Sequence, residues 1–105
     1  MRIVSLSIPA QADLSEAWWY IASASGDIAT ADVTIASLNE ALQLLARFPK
    51  LGQPYFNPQK AGVRRFSVNG YFVLYHASSD EIEVARIMHH RRDRHDLLGQ
   101  WLASR

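Results

Sequence analysis

Cysteine is absent from all 105 residues, which removes disulfide frameworks and thiolate metal sites at once. A reducing, cytoplasmic setting fits that absence. No run approaches the ~20 apolar residues of a membrane-spanning helix, and the first residues lack the basic flank and apolar core of a signal peptide. Neither membrane insertion nor export is therefore expected. Lysine is scarce, with only Lys50 and Lys60, so arginine carries most of the positive charge, and no tyrosine follows Tyr75. A Gly-rich phosphate loop, a nucleophile elbow, a paired-carboxylate motif and a helix-turn-helix signature are all missing. Internal repeats and low-complexity segments are missing too. What remains is an ordinary globular composition, 49% hydrophobic and 20% charged, expected to form one domain over residues 1–105.

The formal net charge of +1 conceals an asymmetry. Residues 1–46 carry one base, Arg2, against Asp13, Glu16, Asp27, Asp32 and Glu40, while the remainder carries ten bases against five acids. A basic C-terminal part suggests an anionic partner, without separating nucleic acid from an acidic protein. The densest stretch begins with Arg86-Ile87-Met88-His89-His90-Arg91-Arg92-Asp93. Four arginines and three histidines fall between Arg86 and His95. Guanidinium forks recognise phosphates and carboxylates, and histidine moves protons near neutral pH.

The segment from Arg2 to Ile8 alternates and is rich in β-branched residues, which predicts a strand, and Pro9 suits the first turn of a helix. Leu14, Trp18 and Ile21 recur at helical spacing, with Ala17 and Ala22 beside them; Asp13 and Glu16 in the early turns complement the helix dipole. Ser23 to Gly26 breaks that helix. Ile28, Ala31, Ile35, Leu38, Leu42 and Leu45 then form an apolar stripe on a second helix, which Phe48-Pro49 ends. The short link predicts an antiparallel helical hairpin.

Pro49 to Gly62 reads as a loop, followed by three strands. Asn69-Gly70 is the strongest short hairpin signal available, between Val63–Val68 and Tyr71–Tyr75. The second of these strands is apolar on both faces and should be central. In the last, Ile82 to Met88, Arg86 falls on the face of Ile82 and Val84, and Ile87 joins Ala85 on the other. That slip hints at a bulge or a functional exception. Leu97, Leu98, Trp101 and Leu102 suggest a short helical tail. The expected fold is α+β in the order β-αα-βββ: a helical hairpin on one face of a small, mainly antiparallel four-stranded sheet, with a short C-terminal helical tail.

Arg64 and Arg65 should point to opposite faces, with Arg64 at the mouth of the helix–sheet interface beside Phe66 and Val68. Edge charges that discourage strand-to-strand aggregation explain them equally simply. Arg86 must be paired if buried, either bracing the fold through a carboxylate such as Asp93 or lining a site. His89 and His90 point to opposite sides of a strand and cannot easily share a metal, and no metal spacing occurs nearby. His89 as a general base, with Arg86 stabilising a phosphate, is the minimum for metal-free ribonuclease chemistry; a surface histidine without a catalytic role is the plainer reading. Only one of Trp18 and Trp19 can face a core. Trp19, Tyr20 and Trp101 are therefore either packed under other segments or interface anchors.

Together these residues resemble the ParE branch of the RelE/ParE toxin superfamily. Ala12-Asp13-Leu14 followed by Trp18-Trp19-Tyr20-Ile21-Ala22 is similar to that family's first helix. Leu45-Ala46 with Pro49, Leu51 and Gly52 is similar to its second-helix exit. Val63-Arg64-Arg65-Phe66 and Tyr71-Phe72-Val73-Leu74-Tyr75 resemble its paired strands, and Arg86-Ile87-Met88-His89 with Arg92-Asp93 resembles its C-terminal signature. The resemblance implies the same β-αα-βββ fold, no cofactor, and a cognate ParD-like antitoxin of ribbon-helix-helix type whose disordered segment folds onto the toxin. It implies a cytoplasmic growth inhibitor that poisons DNA gyrase. Within the superfamily the alternative is a ribosome-dependent mRNA endonuclease of the RelE type, in which Arg64, Arg86 and His89 would act. The absence of a late tyrosine and of a lysine cluster, which would help orient RNA, weighs against that alternative. Target contacts would come from Arg64, Arg65, Arg86, His89, His90, Arg91 and Arg92, and antitoxin contacts from Trp19, Tyr20, Arg64, Arg86 and Trp101. Arg86→Ala is expected to weaken fold or toxicity more than Arg94→Ala, because Arg86 lies within a strand.

Overall fold

A computed structural model describes residues 2–90. The elements are β1 (Ile3–Leu6), α1 (Ile8–Ser25), α2 (Ile28–Arg47), β2 (Gln53–Pro54), β3 (Val63–Val68), β4 (Tyr71–Ala77) and β5 (Glu81–His89). The helical tail anticipated around Trp101 lies outside the described residues. No described helix is long and apolar enough to cross a membrane.

Ile8 belongs to α1, not to the first strand. Ser7 caps the helix by accepting from the Ala10 amide at 3.1 Å, and Pro9 sits in the first turn, where its missing N–H is not needed. Gly26, in the left-handed region at φ 68°, closes α1, and the Asp27 side chain caps α2. Two residues suffice to reverse the chain because a Gly C-cap and an Asp N-cap stand side by side. Trp18 then ties the two helices, its indole N–H donating to Asp32 at 2.8 Å.

The stripe on α2 is buried at Ala31, Leu38, Leu42 and Leu45, whereas Ile28 at its start is exposed. Each buried leucine is worth about 1.5–3 kcal/mol relative to exposure. Leu38, Leu42 and Leu45 meet Val73, Tyr75, Ile82, Val84 and Ile87 from the sheet, with Phe66 and Val68 packed against them. A second, smaller cluster of Val63, Phe72, Leu74 and Met88 lies beneath the opposite face, with Tyr55 and Ala85 against it. All five residues from Tyr71 to Tyr75 are buried, as a central strand requires.

Among the described residues the sheet has five strands, in the order β1-β5-β4-β3-β2, rather than the expected four. The extra member is a two-residue edge pairing, Gln53 with Arg65 and Pro54 with Arg64. Proline is tolerated there because an edge strand can leave one side unbonded. Only β1 runs parallel to its neighbour, β5; the other pairings are antiparallel. Asn69 and Gly70 both have positive φ, 50° and 80°, as the turn between β3 and β4 demands.

The slip in β5 is a bulge. Val84 faces Tyr75 and Arg86 faces Leu74, which leaves Ala85 without a cross-strand partner. The bulge resets the alternation, so Ile87 joins Val84 in the helix-side core instead of following Ala85. Backbone groups turned outward by the bulge need partners, and the α1 end supplies them. Ser7 Oγ donates to the Ala85 carbonyl at 2.8 Å, and the Ile87 N–H donates to Asp13 Oδ2 at 2.9 Å.

Candidate functional site

Arg86 sits at that bulge. Its Nε donates to Asp13 Oδ2 at 2.8 Å and its Nη2 to Asp13 Oδ1 at 3.0 Å. The partner seen is thus a helix residue far away in sequence; Asp93 lies outside the described residues. Asp13 lies beyond the first turn of α1, so its main work is this clamp and not the helix dipole. The Asp13 hydrogen bonds raise the Arg86 pKa, burial opposes them, and the charges of Asp13 and Glu16 add to the rise. A two-point guanidinium–carboxylate fork has fixed geometry, so it locks α1 onto β5.

Arg64 lies opposite Tyr75 in the neighbouring strand. Its Nη1 donates to the Gly52 carbonyl at 2.6 Å and reaches the Lys50 carbonyl at 3.5 Å. The Tyr75 hydroxyl donates to the Pro49 carbonyl at 2.7 Å and accepts from the Gly52 N–H at 2.9 Å. One guanidinium and one phenol therefore pin the segment leaving α2. Burial pushes the Tyr75 pKa up from its ordinary 10.0, opposed by the Gly52 hydrogen bond and the Arg64 charge. The unfolded chain gives up this proton first as pH rises, so this contribution to stability is complete below the ordinary value and is lost above it. Alkaline melting curves should show that decline, and Tyr75→Phe should abolish it.

Arg65 lies on the opposite face, its guanidinium 5.5 Å from the centre of the Phe72 ring. His89 and His90 do point to opposite sides. His89 packs edge-on against Tyr71 at 4.9 Å and lies 6.3 Å from Tyr20, whereas His90 packs edge-on against Phe72 at 5.4 Å. Trp19 is 66% and Tyr20 56% exposed, so both are available for contact. Arg91, Arg92 and Trp101 lie outside the described residues.

The register decides which of these residues can act together. Arg65, Leu74 and Arg86 share one row across the sheet, Arg64 shares the row of Tyr75, and His89 shares the row of Tyr71. Four residues of β4 separate the last two rows, which is about 13 Å at the ordinary strand rise. The row of Arg86 lies between them, so the three residues are spread along the sheet.

Sequence reasoning missed Asp13 as a partner, and it also missed the groove on the face away from the helices. That groove encloses about 430 Å³ between Ser5, His76 and Glu83 on the strands and Asn57 and Lys60 in the connection. Lys60 Nζ and His76 Nδ1 each lie 3.4 Å from Glu83 Oε1. The histidine contact is misaligned for a hydrogen bond, and its buried Nδ1 has none. Among the described residues no group of three histidines and carboxylates is placed to hold a metal ion.

Two solved structures resemble the chain closely enough to define its fold class. A chain from the chromosomal ParDE toxin–antitoxin system of P. aeruginosa superposes with a TM-score of 0.71 at 20% identity, over 85% of this chain and 96% of that one. A chain from the RelBE2 toxin–antitoxin complex of Mycobacterium tuberculosis superposes with a TM-score of 0.54 at 22% identity, over 84% and 96% of the two chains. No curated protein matches the sequence significantly. Residues 4–94 match the family described as the ParE toxin of the type II toxin–antitoxin system, parDE. With the match running from β1 through β5, the chain belongs to the ParE toxin family.

Proposed function

We propose that this toxin arrests growth by binding and poisoning DNA gyrase in the cytoplasm, without hydrolytic chemistry of its own. The separation of Arg64 from His89 is the observation that carries this reading. A general base must stand within hydrogen-bond reach of the proton it takes, while a charge stabiliser holds the same phosphate. With their rows about 13 Å apart and the Arg64 guanidinium bound to the Gly52 carbonyl, the pair is poorly placed for that. Arg86, which would have to hold the phosphate, already spends two donors on Asp13.

The partner that silences the toxin is a ParD-like antitoxin of ribbon-helix-helix type. The two superposed structures come from toxin–antitoxin systems, which supports a similar arrangement here. Its disordered segment would fold over Trp19 and Tyr20 beside His89, because exposed aromatics on a rigid helix are good anchors for a segment that orders on binding. Arg86 and Trp101 would extend that contact, and the positive charge of Arg65, Arg91 and Arg92 would attract an acidic target over longer range.

Inducing the chain in a sensitive host and following both gyrase-trapped DNA breaks and mRNA ends tests the reading. DNA breaks without codon-linked mRNA cuts are expected. Codon-linked cuts without trapped breaks would instead establish the RelE-type endonuclease.

A further inference from the structure

Among the described residues, the exit of α2 carries an exposed apolar patch. Leu44 is 39%, Phe48 53% and Leu51 46% exposed. Beside them a shallow groove of about 350 Å³ runs along α2, lined by Asn39, Glu40, Gln43, Leu44 and Arg47. The Arg47 guanidinium lies 5.8 Å from the centre of the Phe48 ring. Among the described residues neither Arg47 nor Lys50 is paired with a carboxylate.

This patch stands on a fixed base. Tyr75 holds Pro49 and Gly52, and Arg64 holds Gly52 and Lys50. Arg2 joins the end of α2 to the β4–β5 turn, its N–H bonding the Ala46 carbonyl and its Nε the Ser78 carbonyl. The patch therefore lies toward the sheet end marked by that turn. Trp19, Tyr20 and His89 belong to the other end, marked by Asn69-Gly70, because His89 pairs with Tyr71.

We propose that the exit of α2 is the surface through which the toxin grips its target protein, receiving an acidic segment that bears apolar side chains. The proposal rests on the reading of this chain as a binding toxin and names the site of that binding. Apolar surface drives the contact, while covering Arg47 and Lys50 without countercharge would be costly, so the occupant must bring carboxylates. A preorganised patch loses little ordering entropy on binding, which suits a surface that must capture a folded target. Placed at the far end from Trp19 and Tyr20, it leaves the antitoxin a separate foothold.

Two double variants test this. Phe48→Ala with Leu51→Ala removes the apolar contact; Arg47→Glu with Lys50→Glu reverses the charge and keeps the apolar side chains. Each is scored by melting temperature, by affinity for the purified antitoxin, and by the induction level that halts growth. Truncating interface anchors commonly weakens capture by about tenfold or more, so toxicity should fall by that order in both variants, with folding and antitoxin affinity preserved. Full toxicity in both variants overturns the proposal. Parallel loss of antitoxin affinity also overturns it, because the patch would then belong to the antitoxin. If the apolar pair fails to fold, the charge-reversed pair decides alone. A wild-type chain without effect on growth would refute the toxin reading itself, an outcome distinct from failure of the patch.

Discussion

Arg86→Ala should destabilise the toxin by about 3 kcal/mol, the cost of removing one partner from a mostly buried ion pair. The Arg86 and Asp13 side chains are only 22% and 14% exposed, so solvent screens the pair weakly. Asp13 would keep the Ile87 N–H but lose both guanidinium bonds, leaving a carboxylate stranded between α1 and the bulge. For a domain of this size the melting temperature should fall by roughly 10–15 °C. Asp13→Ala should cost at least as much, because it also orphans the Ile87 amide at the bulge. In a double-mutant cycle the two changes should be strongly non-additive, with a coupling of about 1.5–3 kcal/mol; additive losses would mean that the clamp is not the relevant interaction. The same cycle separates brace from catalyst. Replacing the pair by Arg86→Met with Asp13→Asn removes both charges, fills the space and leaves an amide oxygen to accept from the Ile87 N–H. In a binding toxin whose Arg86 serves the fold, toxicity returns along with stability. In a nuclease that needs the guanidinium, stability returns and toxicity does not.

What could be read in advance and what could not divides along the range of the interactions. The Asn69-Gly70 turn, the all-apolar β4 and the α2 stripe are local patterns, and all three stand where they were expected. The broken alternation around Arg86 was also visible, and it marks a real bulge. Its partner was not visible. Asp93 is the near acid in sequence, whereas the chain brings in Asp13 from 73 residues away, through the parallel pairing of β1 with β5 that sets α1 across the strand. Periodicity does not report such a pairing. β2 was missed because two residues, one of them proline, carry no alternation to detect. Arg64 and Arg65 were rightly assigned to opposite faces. That Arg64 holds the α2 exit depends on backbone carbonyls, which no side-chain pattern announces.

Gly52→Ala should be the most damaging single-methyl change in the segment after α2. A Cβ built there would lie 2.6 Å from the Tyr75 hydroxyl oxygen, 2.8 Å from its ring and 2.9 Å from the Arg65 carbonyl oxygen. None of these can yield easily. Tyr75 is fully buried in the central strand, and Arg65 belongs to the backbone of β3 paired on both sides. The loop must move instead, breaking the Gly52–Tyr75 and Gly52–Arg64 hydrogen bonds. Overpacking of this kind costs about 1–3 kcal/mol, and each hydrogen bond lost about 1 kcal/mol more. A total near 3 kcal/mol should appear as a fall of roughly 10–15 °C in melting temperature. Tyr75→Phe should not rescue it, since the ring carbon and the Arg65 carbonyl still obstruct the methyl group. A melting temperature within a degree or two of wild type would show that the loop adapts without loss. Toxicity carries a second reading of the same variant. The displaced loop is the base under Phe48 and Leu51, so growth inhibition should fall further than the loss of folded protein explains. The aromatics on α1 are held by α2 and β5 instead, so antitoxin affinity per folded molecule should stay near wild type.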